Sequence, residues 1–175
     1  MGELDRYIGL EMALDGCLVA LSSSVDAAVG SLVDALESMR QRQSVPIPRR
    51  LLKALWKKDW GVAKRLAKLD PAFGLLVAPS IDVALHRDDE KKAIGDLARI
   101  RDLRNQMVHS DTLARAFYRG APAVTGQTCL IRPPWDQSQE VDAITLLGDA
   151  RGLCAHLVAA VFEDVERCEA VQGDA

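Results

Sequence analysis

The run Leu103-Arg104-Asn105-Gln106-Met107-Val108-His109-Ser110 sets a permanent cation, an amide and a near-neutral base within six residues. Arginine holds phosphate through a rigid fork of donors. Histidine gives or takes a proton near neutral pH. Together these residue types point to chemistry on a phosphodiester, and RNA carries its own nucleophile for that, the 2′-hydroxyl. Other catalytic patterns are missing from the chain: it has no G-x-S-x-G, no H-E-x-x-H and no phosphate-binding glycine loop. No metal-ligand spacing appears, and neither metal nor cofactor is expected. Asp88-Asp89-Glu90 reads as a helix cap. His86 reads as a surface or capping residue, and His156, among Leu153, Leu157 and Val158, as a core or interface histidine.

A helix must position this run. At about 100° per residue, Ala93, Leu97, Ile100, Leu103 and Met107 form one apolar stripe, and Arg104 falls within it. A charge there is costly to bury alone, so Arg104 must face a cleft, an acid or another chain. Asn105 and His109 are four apart and share a ridge, with Arg101 one turn earlier. Arg104 and His109 are five apart, about 140° around an ideal helix. Either the helix ends before His109, as a break at Ser110-Asp111 suggests, or a second copy of the chain completes the site across a two-fold axis. The plainer alternative is that Arg, Asn and His merely satisfy free carbonyls at a helix end.

The rest of the chain reads as helical. Aromatics make up only 5% of the 175 residues and apolar residues 49%, so the core is aliphatic, which favours helix packing over a sandwich. Residues 4–21 and 25–39 form two helices separated at Ser22-Ser23-Ser24, with Ser24 capping the second, as an antiparallel pair. Val45-Pro46-Ile47-Pro48 ends that pair. Residues 49–58 form a basic amphipathic helix with Leu51, Leu52, Leu55 and Trp56 inward. Asp59 caps a continuation that Asp70-Pro71 stops, and residues 80–85 are open to helix. The helix bearing Arg104 starts from a cap at Asp88 or Asp89. A short helix over residues 112–119 follows, closed by Gly120. Residues 121–139 are the least helical stretch, a mostly irregular insertion in which 128–131 is a candidate strand. A long helix over residues 141–170 closes the chain, with Ile144, Leu147, Leu153, Leu157, Val161 and Val165 inward.

Between Arg49 and Lys68 lie eight basic residues and one acid, Asp59, although the whole chain has a formal charge of -3. Such asymmetry marks either a phosphate-meeting surface or a solvated helix face. Lys57 and Lys58 are the substrate-binding candidates there, with Arg101 near the main motif. Trp56 and Trp60, interleaved with lysines, are either base-stacking residues or core anchors. Cys17, Cys129, Cys154 and Cys168 form no C-x-x-C pair and read as reduced thiols of a cytoplasmic protein. No signal peptide is expected, nor an apolar run long enough to cross a bilayer.

Arg-Asn-x-x-x-His near a helix end, in a helical chain of this size, resembles the HEPN superfamily, whose signature is Arg, four to six residues, then His, commonly with a polar residue after the Arg. The matching positions are Arg104, Asn105 and His109. The resemblance implies a single all-α helical bundle over residues 1–175, usually homodimeric, with the two motifs facing across a shared cleft. Many members are metal-independent endoribonucleases of toxin–antitoxin, phage-defence or CRISPR-associated systems, and they leave a cyclic phosphate. Carried onto this chain, His109 transfers protons, Arg104 orients the phosphate and stabilises its charge, and Asn105 positions His109 or bonds a phosphate oxygen. RNA is then the substrate, with an antitoxin or defence-system protein as a further partner and no membrane. The alternatives are a non-catalytic module that binds RNA, a nucleotide or a protein, and a purely structural scaffold. The chain departs from members paired with a nucleotidyltransferase antitoxin. These carry Tyr two residues after the His, where this chain has Asp111. Tyr118 lies seven residues further on. Asp111 also sets a negative charge beside the motif.

Overall fold

The computed structural model of the chain describes residues 3–42, 45–86, 92–109, 115–119 and 127–173. Among these the chain is mostly helical. The order is α1 (Glu3–Gln41), α2 (Arg49–Trp56), α3 (Trp60–Ala67), α4 (Pro71–Gly74), α5 (Ala78–Leu85), α6 (Leu97–His109), β1 (Arg115–Arg119), β2 (Gln127–Ile131), β3 (Val141–Asp142) and α7 (Ala143–Gly173). The residues group into two compact units: Met1–Ser23 with Arg87–Leu153, and Ser24–His86 with Cys154–Ala175. Both α1 and α7 contribute residues to each.

The expected helix pair at the N-terminus is one unbroken helix. Serine costs a helix only a few tenths of a kcal/mol relative to alanine, and no Gly or Pro accompanies Ser22-Ser23-Ser24. The apolar stripe also runs on past the serines, with Leu14, Leu18, Val25, Val29, Leu32, Leu36 and Met39 all buried. Ser31 stays helical in the same way, its hydroxyl donating to the Ala27 carbonyl at 3.2 Å.

In the second unit a short bend joins α2 to α3. Lys58 takes the left-handed conformation (φ 55°). Its amide donates to the Leu55 carbonyl and that of Asp59 to the Ala54 carbonyl, both at 2.8 Å, the paired bonds of a Schellman ending. Asp59 then caps α3 by accepting the Val62 amide at 3.1 Å. One residue thus closes one helix and opens the next. Leu51, Leu52 and Leu55 are buried as expected, but Trp56 is 61% exposed, whereas Trp60 is buried. An α2 that buries Leu51, Leu52, Ala54 and Leu55 turns position 56 toward its basic side. Asp70 caps α4 through the Ala72 amide at 2.8 Å. Gly74 lies so close to α3 that a Cβ there would stand 2.5 Å from the Ala67 carbonyl oxygen.

The α5 helix has no cap of its own at Val77. Asp164 of α7 supplies one, its Oδ2 accepting the Ser80 amide at 3.0 Å. Asp164 is fully buried, Oδ1 has no hydrogen-bond partner, and the Arg167 guanidinium stands 3.8 Å away. On α7, Ala150 in the first unit and Leu157, Val161 and Cys168 in the second are fully buried or nearly so. Ile144 is 77% exposed, contrary to expectation, and His156 is exposed, which removes the core reading and leaves the interface one. His86 is exposed at the end of α5, as expected.

In the first unit, residues 115–119 form a strand where a short helix was expected. β1, β2 and β3 make an antiparallel sheet in that order, with Arg115 opposite Ile131, Phe117 opposite Cys129 and Ile131 opposite Val141. Strand suits Phe117-Tyr118 and Thr128-Cys129-Leu130-Ile131, which are aromatic and β-branched in the main. Ser110, Asp111 and Gly120, the expected ends of that helix, lie outside the described residues, as do Asp88, Asp89 and Glu90. Residues 132–140 are ordered by turns: Arg132 bonds Glu140 across the segment at 2.8 Å, and Asp136 accepts the Ser138 amide and hydroxyl at 3.0 and 2.6 Å.

By length and composition, Met12–Gln41 and Ala143–Gly173 are apolar enough to cross a bilayer, which corrects the expectation that no run is. The core helices of soluble proteins pass the same test. Of the two apolar windows, 28% and 39% are buried.

Two substitutions test this packing. Gly74→Ala is expected to cost about 1–3 kcal/mol, because backbone rather than a flexible side chain blocks the new methyl; urea unfolding would measure it. The Asp164 carboxyl is pushed up to about 6 by burial, against the Ser80 hydrogen bonds and the Arg167 charge. The folded chain therefore holds this proton more tightly than the unfolded chain. This group's contribution to stability falls as pH rises from about 4 to about 6 and stays reduced above. The unfolding free energy of Asp164→Asn minus that of wild type should grow by on the order of 2 kcal/mol between about pH 4 and about pH 7. A pH-independent difference would contradict this.

Candidate functional site

The Arg104 motif sits in the first unit on α6, and the segment leading into that helix is firmly held. Asp149 of α7 accepts the Ala93 amide at 2.8 Å and the Ile94 amide at 3.4 Å. The Ile94 side chain is fully buried. Asp96 then caps α6, accepting the Arg99 amide at 3.0 Å. The helix thus begins at Leu97, not at Asp88 or Asp89, and Ala93 belongs to the approach and not to the helical stripe. Ile100 and Leu103 of α6 are buried. The helix also meets the 132–140 segment, where the Arg99 guanidinium lies 5.3 Å from the Trp135 ring centre, a cation–π contact.

Arg104 is half-buried. Its Nη1 donates to Asn105 Oδ1 at 3.3 Å, and it makes no ion pair among the described residues. Asn105 therefore turns its carbonyl oxygen to Arg104. The buried Oε1 of Gln106 has no hydrogen-bond partner. Arg101 is exposed, 3.9 Å from the neighbouring Asp102 carboxylate. His109 is the last residue of α6. The helix is continuous from 104 to 109, so the two positions stand about 140° apart around its axis and about 7.5 Å apart along it.

Lys57 and Lys58 belong to the second unit. Lys57 is exposed at the end of α2. Lys58 is engaged with Asp26 of α1 at 2.5 Å. Among the described residues no group of three or more His, Cys, Asp or Glu could hold a metal ion. Comparison with family models, with curated proteins and with solved structures gives no match to the chain.

Sequence reasoning missed Asp149, Asp96 and the Arg99–Trp135 pair, which position α6. Asp96 had a usable signal, an Asp directly before the periodic Leu97-x-x-Ile100. Asp149 had none, since its partners lie over fifty residues away.

Asp149→Ala would leave the Ala93 and Ile94 amides without their acceptor. It should destabilise the protein by about 1–3 kcal/mol and speed hydrogen exchange at both amides. Unchanged exchange there would show that α6 is held by packing alone.

Proposed function

We propose that this chain is an RNA-cleaving enzyme of the HEPN type, acting through Arg104 and His109, with Asn105 as a positioning residue. The observation that carries the reading is the state of Arg104. Its cation lies on the edge of a buried helix face, held by a neutral amide oxygen, with no carboxylate answering it among the described residues. A phosphate is the group its fork of donors would accept. The continuity of α6 supports a two-copy site. One helix turns positions 104 and 109 apart, so a pair of chains related by a two-fold axis supplies both groups to one substrate more readily than one chain does.

The reaction would run as an internal transfer. A His109 imidazole takes the proton of the ribose 2′-hydroxyl, and O2′ attacks the adjacent phosphorus. The bond to O5′ breaks, and the leaving oxygen takes a proton from the His109 imidazolium of the second copy. The products are a 2′,3′-cyclic phosphate and a 5′-hydroxyl. Arg104 offsets the charge that gathers on the non-bridging oxygens. Arg101 lies one turn before Asn105, where a further phosphate of the same strand could be met. A toxin or phage-defence effector, acting in the cytoplasm beside a silencing partner protein, fits this reading.

His109→Ala should lower cleavage of a mixed RNA pool by about 10²–10⁴-fold in the presence of EDTA, with an unchanged circular dichroism spectrum and cyclic-phosphate ends on the wild-type products alone. Arg104→Lys should not restore what Arg104→Ala loses, because an ammonium lacks the fork. Equal cleavage by His109→Ala would dispose of the enzyme reading. A folded wild type that binds RNA without cutting it would leave a binding module.

A further inference from the structure

We infer that the outer face of α2 is a binding surface for single-stranded nucleic acid, on which Trp56 stacks an unpaired base and Arg50, Lys53 and Lys57 hold the backbone. The inference stands apart from the cleavage reading, since it concerns a different unit of the chain and needs no chemistry there.

Positions 49, 50, 53, 56 and 57 fall within about 120° of the α2 circumference, and all five residues are exposed. The opposite face carries Leu51, Leu52, Ala54 and Leu55, all buried. A tryptophan is the most costly side chain to leave in water, yet this one keeps 61% of its surface exposed. Its ring leans toward Gly30 of α1, where an added Cβ would lie 3.8 Å from it. Three nearby acids are engaged, while Asp34, one turn beyond Gly30 on α1, is exposed and makes no ion pair among the described residues. Glu37 is bonded to Arg40 and also feels Arg49; Asp26 is paired with Lys58; Asp59 caps α3. Arg50, Lys53 and Lys57 make no ion pair among the described residues. They follow one another at about one-turn intervals of α2, so a polyanion running along the helix meets them in succession.

An exposed ring set among unpaired cations suits nucleic acid, because every base offers a π-face and every nucleotide a phosphate. It suits a strand whose bases are free, since a duplex hides those faces. A lipid surface is the poorer fit. A helix that lies in a bilayer interface buries a broad apolar face there, and the apolar face of α2 is already packed inside the protein.

The test uses the wild-type chain and a fluorescein-labelled single-stranded 2′-O-methyl oligouridine of about twelve nucleotides, which offers no 2′-hydroxyl and is read by anisotropy. Wild type should bind it better than the matching duplex. Trp56→Ala should weaken binding about tenfold or more, and Trp56→Phe, which keeps a ring, should recover most of that. The double variant Lys53→Gln/Lys57→Gln should lower the salt slope, in log–log form, by about 1.4. That variant decides the matter if Trp56→Ala does not fold. Equal binding by Trp56→Ala and wild type, no binding by wild type, or partition onto phosphatidylserine vesicles without RNA binding would each overturn the inference. Binding of this probe by a wild type that cuts no RNA would remove the nuclease and keep the surface. Cleavage without any effect of Trp56 would do the reverse.

Discussion

Two carboxylates on α7 set the long-range order of this chain. Asp149 takes the amides that lead into α6, and Asp164 takes the amide that opens α5. Each joins segments more than fifty residues apart, and each acts within its own unit. An amide at the start of a helix has no partner inside that helix, and burying it unpaired costs more than most single contacts return. For α5 that acceptor comes from α7, whereas Asp149 holds only the approach to α6 at Ala93 and Ile94 and the helix itself opens at Asp96. Their own sequences differ in this respect: α6 adds a local cap at Asp96, whereas α5 relies on the distant one.

The consequence for the motif is positional. Asp149 and Asp96 fix the beginning of α6, Ile100 and Leu103 fix its rotation, and Arg99 ties it to Trp135. With start and rotation set, the location of Arg104 at the margin of the buried face follows without further contact. The guanidinium then rests against Asn105, a neutral partner that steadies it, with no carboxylate paired to it among the described residues. Trp135 of the 132–140 segment meets the same helix through Arg99.

Much of the helical framework was legible in the residues. The Asp59 cap, the stop at Asp70-Pro71, the closing helix and the candidate strand at 128–131 follow from local rules of capping and composition. The errors share a cause. Ser22-Ser23-Ser24 looked like a break because serine favours caps, but an uninterrupted apolar stripe outweighed that preference. The helix before Arg104 was begun too early because Ala93 fits its periodicity by chance; residues 92–96 are bends and irregular backbone, with Ile94 buried and the Ala93 and Ile94 amides on Asp149. Residues 115–119 were assigned to a helix on local propensity alone, and pairing with β2 decided otherwise. Trp56 was turned inward because tryptophans usually are, although the three leucines around it already fill the inner face. The motif was legible as residue types, and its angular problem as well; the pairing of Arg104 with Asn105 in preference to a carboxylate was not.

The cysteines bear on how the second unit can be followed in solution. Cys154 and Cys168 are buried and their thiols are pushed up to about 11 by burial, while Cys17 of the first unit is exposed. A thiol reacts as its thiolate, so the two inner sulfurs are silent toward alkylating reagents as long as that stretch of α7 stays packed. Their labelling rates consequently clock the opening of this unit, separately from whatever motions the rest of the chain undergoes. The protein thus carries, at two points four helical turns apart, native reporters of its own breathing.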